Sequence, residues 1–344
     1  MNTPLLTTSL DGAGTWKGVD LNQTTGWLLE FTEAELQEID KTVNTLTSHS
    51  FERATQITSS DIDMPLVSRR LVSVRDELEN GRGFQVLRGI PVTKYSIEQN
   101  ERLIWALSLL LGEPEEQDKQ GNLIHSVHDK GKNLTENSAA RGYETDQELT
   151  FHNDGGDAFM LLCLKTAVSG GVSKLMSVNQ LFNEILKREP NLAKTLQQPF
   201  HFDTREQHPD GRKIESVPIF NFYQGKLSAL YKRAYIDMGQ RFPDVPRLSE
   251  EQIAALDLLD EICNDPEMQM SFTMKPGDIQ IGNNYSILHS RTKYQDHDKP
   301  EDKRRLLRTW LTLPNGRALP PVFAETREFV HSYRRRKSQY ASAS

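Results

Sequence analysis

The chain has 344 residues, 36% hydrophobic and 26% charged, with a formal net charge of −7. It is long enough to bury a sizeable core, its acidic balance gives no general attraction to nucleic acid or anionic membrane, and no apolar run approaches the ~20 residues of a membrane span. The start, Met1-Asn-Thr-Pro-Leu-Leu-Thr-Thr, has neither a basic nor an apolar leader region, so a cytoplasmic protein is expected.

Residues 1–83 read as an N-terminal extension packed on a core, with Trp16 and Trp27 in short extended segments. Thr32-Glu-Ala-Glu35 is a capping box, and Leu36, Ile39, Val43 and Leu46 follow at helical spacing, which predicts a surface helix. A second helix is expected over 65–79, ending at Gly81 and Gly83, and a strand over 83–91. Ser96-Ile-Glu-Gln99 caps a helix to about Leu111, whose Leu103, Leu107 and Leu110 share a face suited to a sheet. Residues 115–147 are polar and aperiodic apart from 123–127; a connection this long reads as a lid, with Tyr143 near its mouth.

From 158 onward β signals dominate. Strands are expected over 158–164, 172–177, 200–203, 217–222, 227–236, 269–274, 279–281 and 306–313. Helices are expected over 178–187 and, with Ser249 as cap, over 251–262. Residues 314–344 read as a tail, its basic run Arg334-Arg-Arg-Lys337 frayed and solvated. Cys163 and Cys263, the only cysteines, fall in apolar segments and are expected as buried free thiols. The fold class is therefore one mainly β domain with flanking helices (α+β), a sandwich or jelly roll, its core spanning 84–313.

The chemistry concentrates in Glu148-Leu-Thr-Phe-His152-Asn-Asp154, which precedes a Gly-Gly turn. In an extended strand residues i and i+2 share a face, so His152 and Asp154 present an imidazole and a carboxylate side by side. A third ligand is available at His289, in Asp278-Ile-Gln-Ile-Gly-Asn-Asn284-Tyr-Ser-Ile-Leu-His289-Ser-Arg291. Two imidazoles and a carboxylate with open positions suit Fe(II) and O2 chemistry. Beyond them, Lys303-Arg304-Arg305-Leu-Leu-Arg308 enters a strand with guanidinium groups, which a dicarboxylate cosubstrate would need.

Together His152-x-Asp154, the distal His289 and the pair Arg304 and Arg308 resemble the taurine dioxygenase family of Fe(II)/2-oxoglutarate oxygenases, which includes clavaminate synthase and γ-butyrobetaine hydroxylase. The resemblance covers roughly residues 84–313 and implies a double-stranded β-helix (jelly roll, cupin-like) core. It implies iron(II) on His152, Asp154 and His289, with 2-oxoglutarate as cosubstrate and O2 as oxidant. Oxidative decarboxylation to succinate and CO2 would drive hydroxylation, desaturation or cyclisation of a small molecule: an amino acid, a small acid or a natural-product intermediate. Related halogenases have Gly or Ala where Asp154 stands, so halogenation is disfavoured.

By the same resemblance Arg304 matches the position binding the distal carboxylate of 2-oxoglutarate, with Arg305 the competing register. Ser173 matches a Thr whose hydroxyl touches that carboxylate, and Arg308 a position that meets substrate anions in some relatives. Asn284 and Arg291 flank His289 as candidate groups orienting it. A second His-x-Asp, His208-Pro-Asp210, reads as a turn, and His125, His128 and His297 as solvated. Two other readings compete. One is a cupin-like metal-binding protein without oxygenase turnover, for which the Arg pair has no use. The other is a catalytically silent interaction protein, which leaves three converging ligands unexplained. A homo-oligomer is compatible with the sequence.

Overall fold

The computed structural model describes residues 5–49, 51–131 and 144–342. Two antiparallel layers dominate it. A seven-stranded sheet runs Leu28–Glu30, Phe84–Arg88, Ile279–Asn283, Ala158–Lys165, Arg305–Thr312 and Glu113–Glu115, with His125–Val127 also paired to Arg305–Thr312. Only its first pair is parallel. A four-stranded sheet runs Met270–Phe272, Ser173–Ser177, Ile287–Arg291 and Leu149–His152.

The alternation of side chains along Ala158–Lys165 explains how the layers stack. Ala158, Met160, Leu162 and Leu164 join a cluster with the helices Glu33–Ser48, Pro65–Asn80 and Ile97–Leu111. Phe159, Leu161 and Cys163 point the other way, into a cluster with Leu175, Met270 and Ile287 of the smaller sheet. The capping box at Thr32 and Glu35 starts the first helix, and Ile39, Val43 and Leu46 are almost wholly buried, each contributing roughly 1.5–3 kcal/mol. A third cluster lies behind the small sheet, joining Phe151, Met176 and Leu288 to the helices Val178–Arg188 and Glu250–Asn264. Both cysteines are free and buried, as expected.

Four expectations change. The 227–236 run is a strand only over Lys226–Ala229; the chain then turns into the helix Arg233–Gly239, because the backbone of Tyr231 is held by Asn153. The 217–222 segment is two strands, Ile214–Pro218 and Phe220–Tyr223, in separate hairpins. Within the segment expected as a lid, 115–147, residues 125–127 form a strand of the large sheet, while 132–143, Tyr143 among them, lie outside the described residues. The C-terminal segment is not a solvated tail: Phe323 and Phe329 are fully buried, and Arg336 pairs with buried Asp157 beneath the helix Val330–Ser342. A buried carboxylate needs such a counter-charge.

That junction also carries a titrating group. Burial pushes the Glu115 carboxyl up to about 7, although the hydroxyls of Thr312 and Ser332 donate to it. A raised carboxyl stabilises the fold fully below its unfolded value near 4.5, and that stability is lost as pH rises through 7. Glu115→Gln keeps an acceptor and removes the charge. Its stability relative to the native chain should rise by roughly 2 kcal/mol between pH 5 and pH 8, read from denaturant midpoints. A gap that does not change with pH contradicts this.

Candidate active site

His152 ends the strand Leu149–His152 and lies directly opposite His289 on Ile287–Arg291. Cross-strand partners share a face, and the two imidazoles sit with ring centres 4.4 Å apart. The chain then bends so that Asp154 joins them. Asn153, fully buried, enforces the bend: its Nδ2 donates to the carbonyls of Asn284 and Ile287, and its Oδ1 accepts from the Tyr231 amide at 2.6 Å. Asn284 Oδ1 accepts from the Asp154 amide at 3.1 Å, and its Nδ2 donates to the Gly155 carbonyl at 2.7 Å. Asn284 thus positions Asp154 rather than His289. Gly155 is required here, since a Cβ would lie 2.6 Å from the Trp310 ring.

One donor atom from each of His152, Asp154 and His289 lies within 4.8 Å of the others. His152 Nδ1 is 2.7 Å from the Thr150 carbonyl, which only accepts, so that nitrogen carries the proton and Nε2 keeps its lone pair. His289 Nε2 is buried without a hydrogen-bond partner among the described residues, with Asp154 Oδ2 3.8 Å away. An orphaned imidazole nitrogen beside a carboxylate and a second imidazole fits a divalent transition metal. Burial, joined by the repulsion that two protonated imidazoles would feel, pushes the His289 imidazole down to about 3, and burial also lowers His152, so both favour the neutral form that ligation requires. Burial alone would raise Asp154; Arg308 and the two imidazoles outweigh it and hold the carboxyl well below its usual range.

Arg308 takes a place that its sequence did not reveal. Its Nη1 donates to both Asp154 oxygens, at 3.1 and 3.0 Å, and its Nε donates to Gln117 Oε1 at 2.8 Å. Gln117 in turn donates to the Arg308 carbonyl at 2.9 Å. Arg304 and Ser173 line the same cavity of about 340 Å³ as the three ligands, and Arg305 does not. Arg304 is buried, with Nη1 unpartnered among the described residues and its guanidinium 5.0 Å from the Tyr294 ring centre. Gly171, at φ +67°, lets the Ser173 strand pass it: a Cβ would meet Arg304 Nε at 3.2 Å.

Lys232, Tyr235, Gln280 and Arg327 also line the cavity, and sequence reasoning missed them. Gln280 had left a signal, a polar residue between the apolar Ile279 and Ile281 on a buried strand. Lys232 left none, because its place follows from an isolated bridge to His152 and an ion pair of 2.5 Å with Glu328. His208 is a structural residue, 2.6 Å from Asp210 and against the Glu325 carbonyl. His125 is not solvated; it is buried 2.8 Å from Asp118. No helix among the described residues is long and apolar enough to cross a membrane.

Comparison with known proteins agrees with this geometry. A family model described as taurine catabolism dioxygenase TauD, TfdA family matches residues 45–310. The FR-33289 synthase of Streptomyces rubellomurinus is 28% identical over 330 residues, covering 92% of this chain and 94% of that protein. A taurine hydroxylase-like protein of Stachybotrys chartarum is 24% identical over 307 residues, covering 85% and 77%. Among solved structures, asparagine oxygenase with Fe(II), (2S,3S)-3-hydroxyasparagine and succinate superposes with a TM-score of 0.66 at 17% identity, over 83% of this chain and 93% of that one. The non-haem iron oxygenase OrfP with iron and α-ketoglutaric acid gives 0.60 at 16% identity, over 83% and 94%. The chain belongs to the TauD, TfdA family and is a dioxygenase that uses iron(II) and 2-oxoglutarate.

Proposed function

We propose that this dioxygenase oxidises a C–H bond of a small anionic molecule, an amino acid or a small acid, and that hydroxylation is its reaction. In this reading His152, Asp154 and His289 hold the iron, Arg304 and Ser173 receive the distal carboxylate of 2-oxoglutarate, and Arg308 meets the substrate anion. The two sheets form a double-stranded β-helix. In support, 149–152, 158–165 and 173–177 alternate between small and large sheet, as do 270–272, 279–283, 287–291 and 305–312.

The charge of the cavity carries the substrate assignment. Lys232, Arg233, Arg291, Arg304, Arg308 and Arg327 line it, against two carboxylates among the described residues, Glu148 and Asp154. Iron in the triad adds positive charge and draws on Asp154, and a substrate anion beside Arg308 offsets that charge. The ligands in the asparagine oxygenase and OrfP structures, hydroxylated asparagine and arginine, are amino acids. Two buried free thiols suit the reducing cytoplasm.

Iron(II), when bound, supplies the activation of O2, coupled to decarboxylation of 2-oxoglutarate to succinate and CO2. The chain's own residues do the positioning. Arg304 sets the distal end of the cosubstrate so that its 2-oxo acid end faces the triad. Arg308, braced by Gln117, holds the substrate anion and thereby aims a neighbouring C–H bond at the metal. Val127, Leu161, Leu306 and Trp310 line the cavity with apolar surface that limits water.

Succinate release tests the reading across matched pairs of small carboxylic acids and their primary amides. At least one acid should raise release above the substrate-free rate while its amide does not. Stimulation by neutral compounds alone contradicts an anionic substrate.

A further inference from the structure

Arg291 sits two residues beyond His289, so the two side chains share a face of their strand. Its direct partner on the neighbouring strand is Ser173. The Arg291 guanidinium lies 4.6 Å from the Tyr294 ring centre, and that of Arg304 lies 5.0 Å from the same ring. Ser173, Arg291 and Arg304 all line the cavity. Arg291 is 6% exposed, and its Nη2 donates to the carbonyls of Thr145, at 3.1 Å, and Gln147. Those two bonds fix the plane of the fork. Its Nε and Nη1 have no hydrogen-bond partner among the described residues, nor does Arg304 Nη1.

Two buried guanidinium groups grouped on one ring repel each other, and orphaned donors are costly. No ion pair satisfies either group among the described residues. A carboxylate offers about four lone-pair positions, enough to accept from both forks and from a serine hydroxyl. From this arrangement, and resting on the cosubstrate reading above, we infer that Arg291 is a second binding residue for the distal carboxylate of 2-oxoglutarate, acting with Arg304 and Ser173. It is a contact to the cosubstrate and not a group that orients His289. Because its fork is held by backbone carbonyls, it selects a 2-oxo acid with a second carboxylate over one without.

The test compares two ligands on the iron(II) protein under anaerobic conditions, using calorimetry to measure dissociation constants. One ligand is 2-oxoglutarate; the other is 2-oxobutyrate, which keeps the chelating end and lacks the distal carboxylate. Arg291→Gln should weaken 2-oxoglutarate by about 10- to 150-fold, the range for a lost charge-assisted contact, and change 2-oxobutyrate by less than about twofold. Arg291→Lys, which retains the charge, should recover part of the loss and serves if the Gln variant does not fold. Equal weakening of both ligands would assign Arg291 a structural role and overturn the inference, as would unchanged 2-oxoglutarate binding. If the native protein itself does not prefer 2-oxoglutarate to 2-oxobutyrate, the cosubstrate reading of the pocket fails as well.

Discussion

Replacing His289 by alanine is expected to abolish succinate release and to weaken iron(II) binding by more than about 100-fold, the loss seen even for groups one shell further out. His289 supplies one of three donor atoms, and the two that remain cannot close one face of the metal. Its ring stacks on Phe159 at 4.3 Å between centres, so alanine also opens a void. His289→Gln separates the two effects: it fills more of the space and lacks the imidazole. Metal affinity should fall in both variants, whereas thermal stability should fall more in the alanine variant. His152→Ala should reproduce the metal defect. Native-like iron binding in these variants would remove the triad from the account.

Arg304→Ala should raise the dissociation constant for 2-oxoglutarate by about 30- to 700-fold, equivalent to about 2–4 kcal/mol for a bidentate charge-assisted contact in a dry pocket. Iron binding without cosubstrate should be unaffected, since Arg304 does not touch the ligands. Arg304→Lys should recover little, because an ammonium lacks the planar fork. Arg305→Ala provides the register control and should leave the cosubstrate constant unchanged. If the effects of the two arginine variants were exchanged, the cosubstrate anchor would be Arg305.

The parts of this protein legible in its sequence are those governed by local periodicity and by residue chemistry. The capping boxes at Thr32, Ser96 and Ser249 each start a helix where expected. The uninterrupted apolar run 158–164 identified a buried strand, and the ordered set His152, Asp154 and His289 identified ligands that the fold brings together. What was hidden depends on contacts distant in sequence. Asn284 reads as a neighbour of His289, yet its bonds run to Asp154 and the Gly-Gly turn, because the antiparallel register returns the chain there. The helix at 233–239 replaces an expected strand because Asn153 captures Tyr231. The basic run near the C-terminus reads as solvated until Asp157, in another part of the chain, takes up Arg336.

The most direct test of the central claim is anaerobic titration of the native protein with iron(II) and 2-oxoglutarate, followed by visible absorption. A weak metal-to-ligand charge-transfer band should appear only with both present, disappear in His152→Ala, and require much more 2-oxoglutarate in Arg304→Ala. Absence of the band in native protein that demonstrably holds iron would contradict chelation of 2-oxoglutarate at the His152, Asp154 and His289 centre.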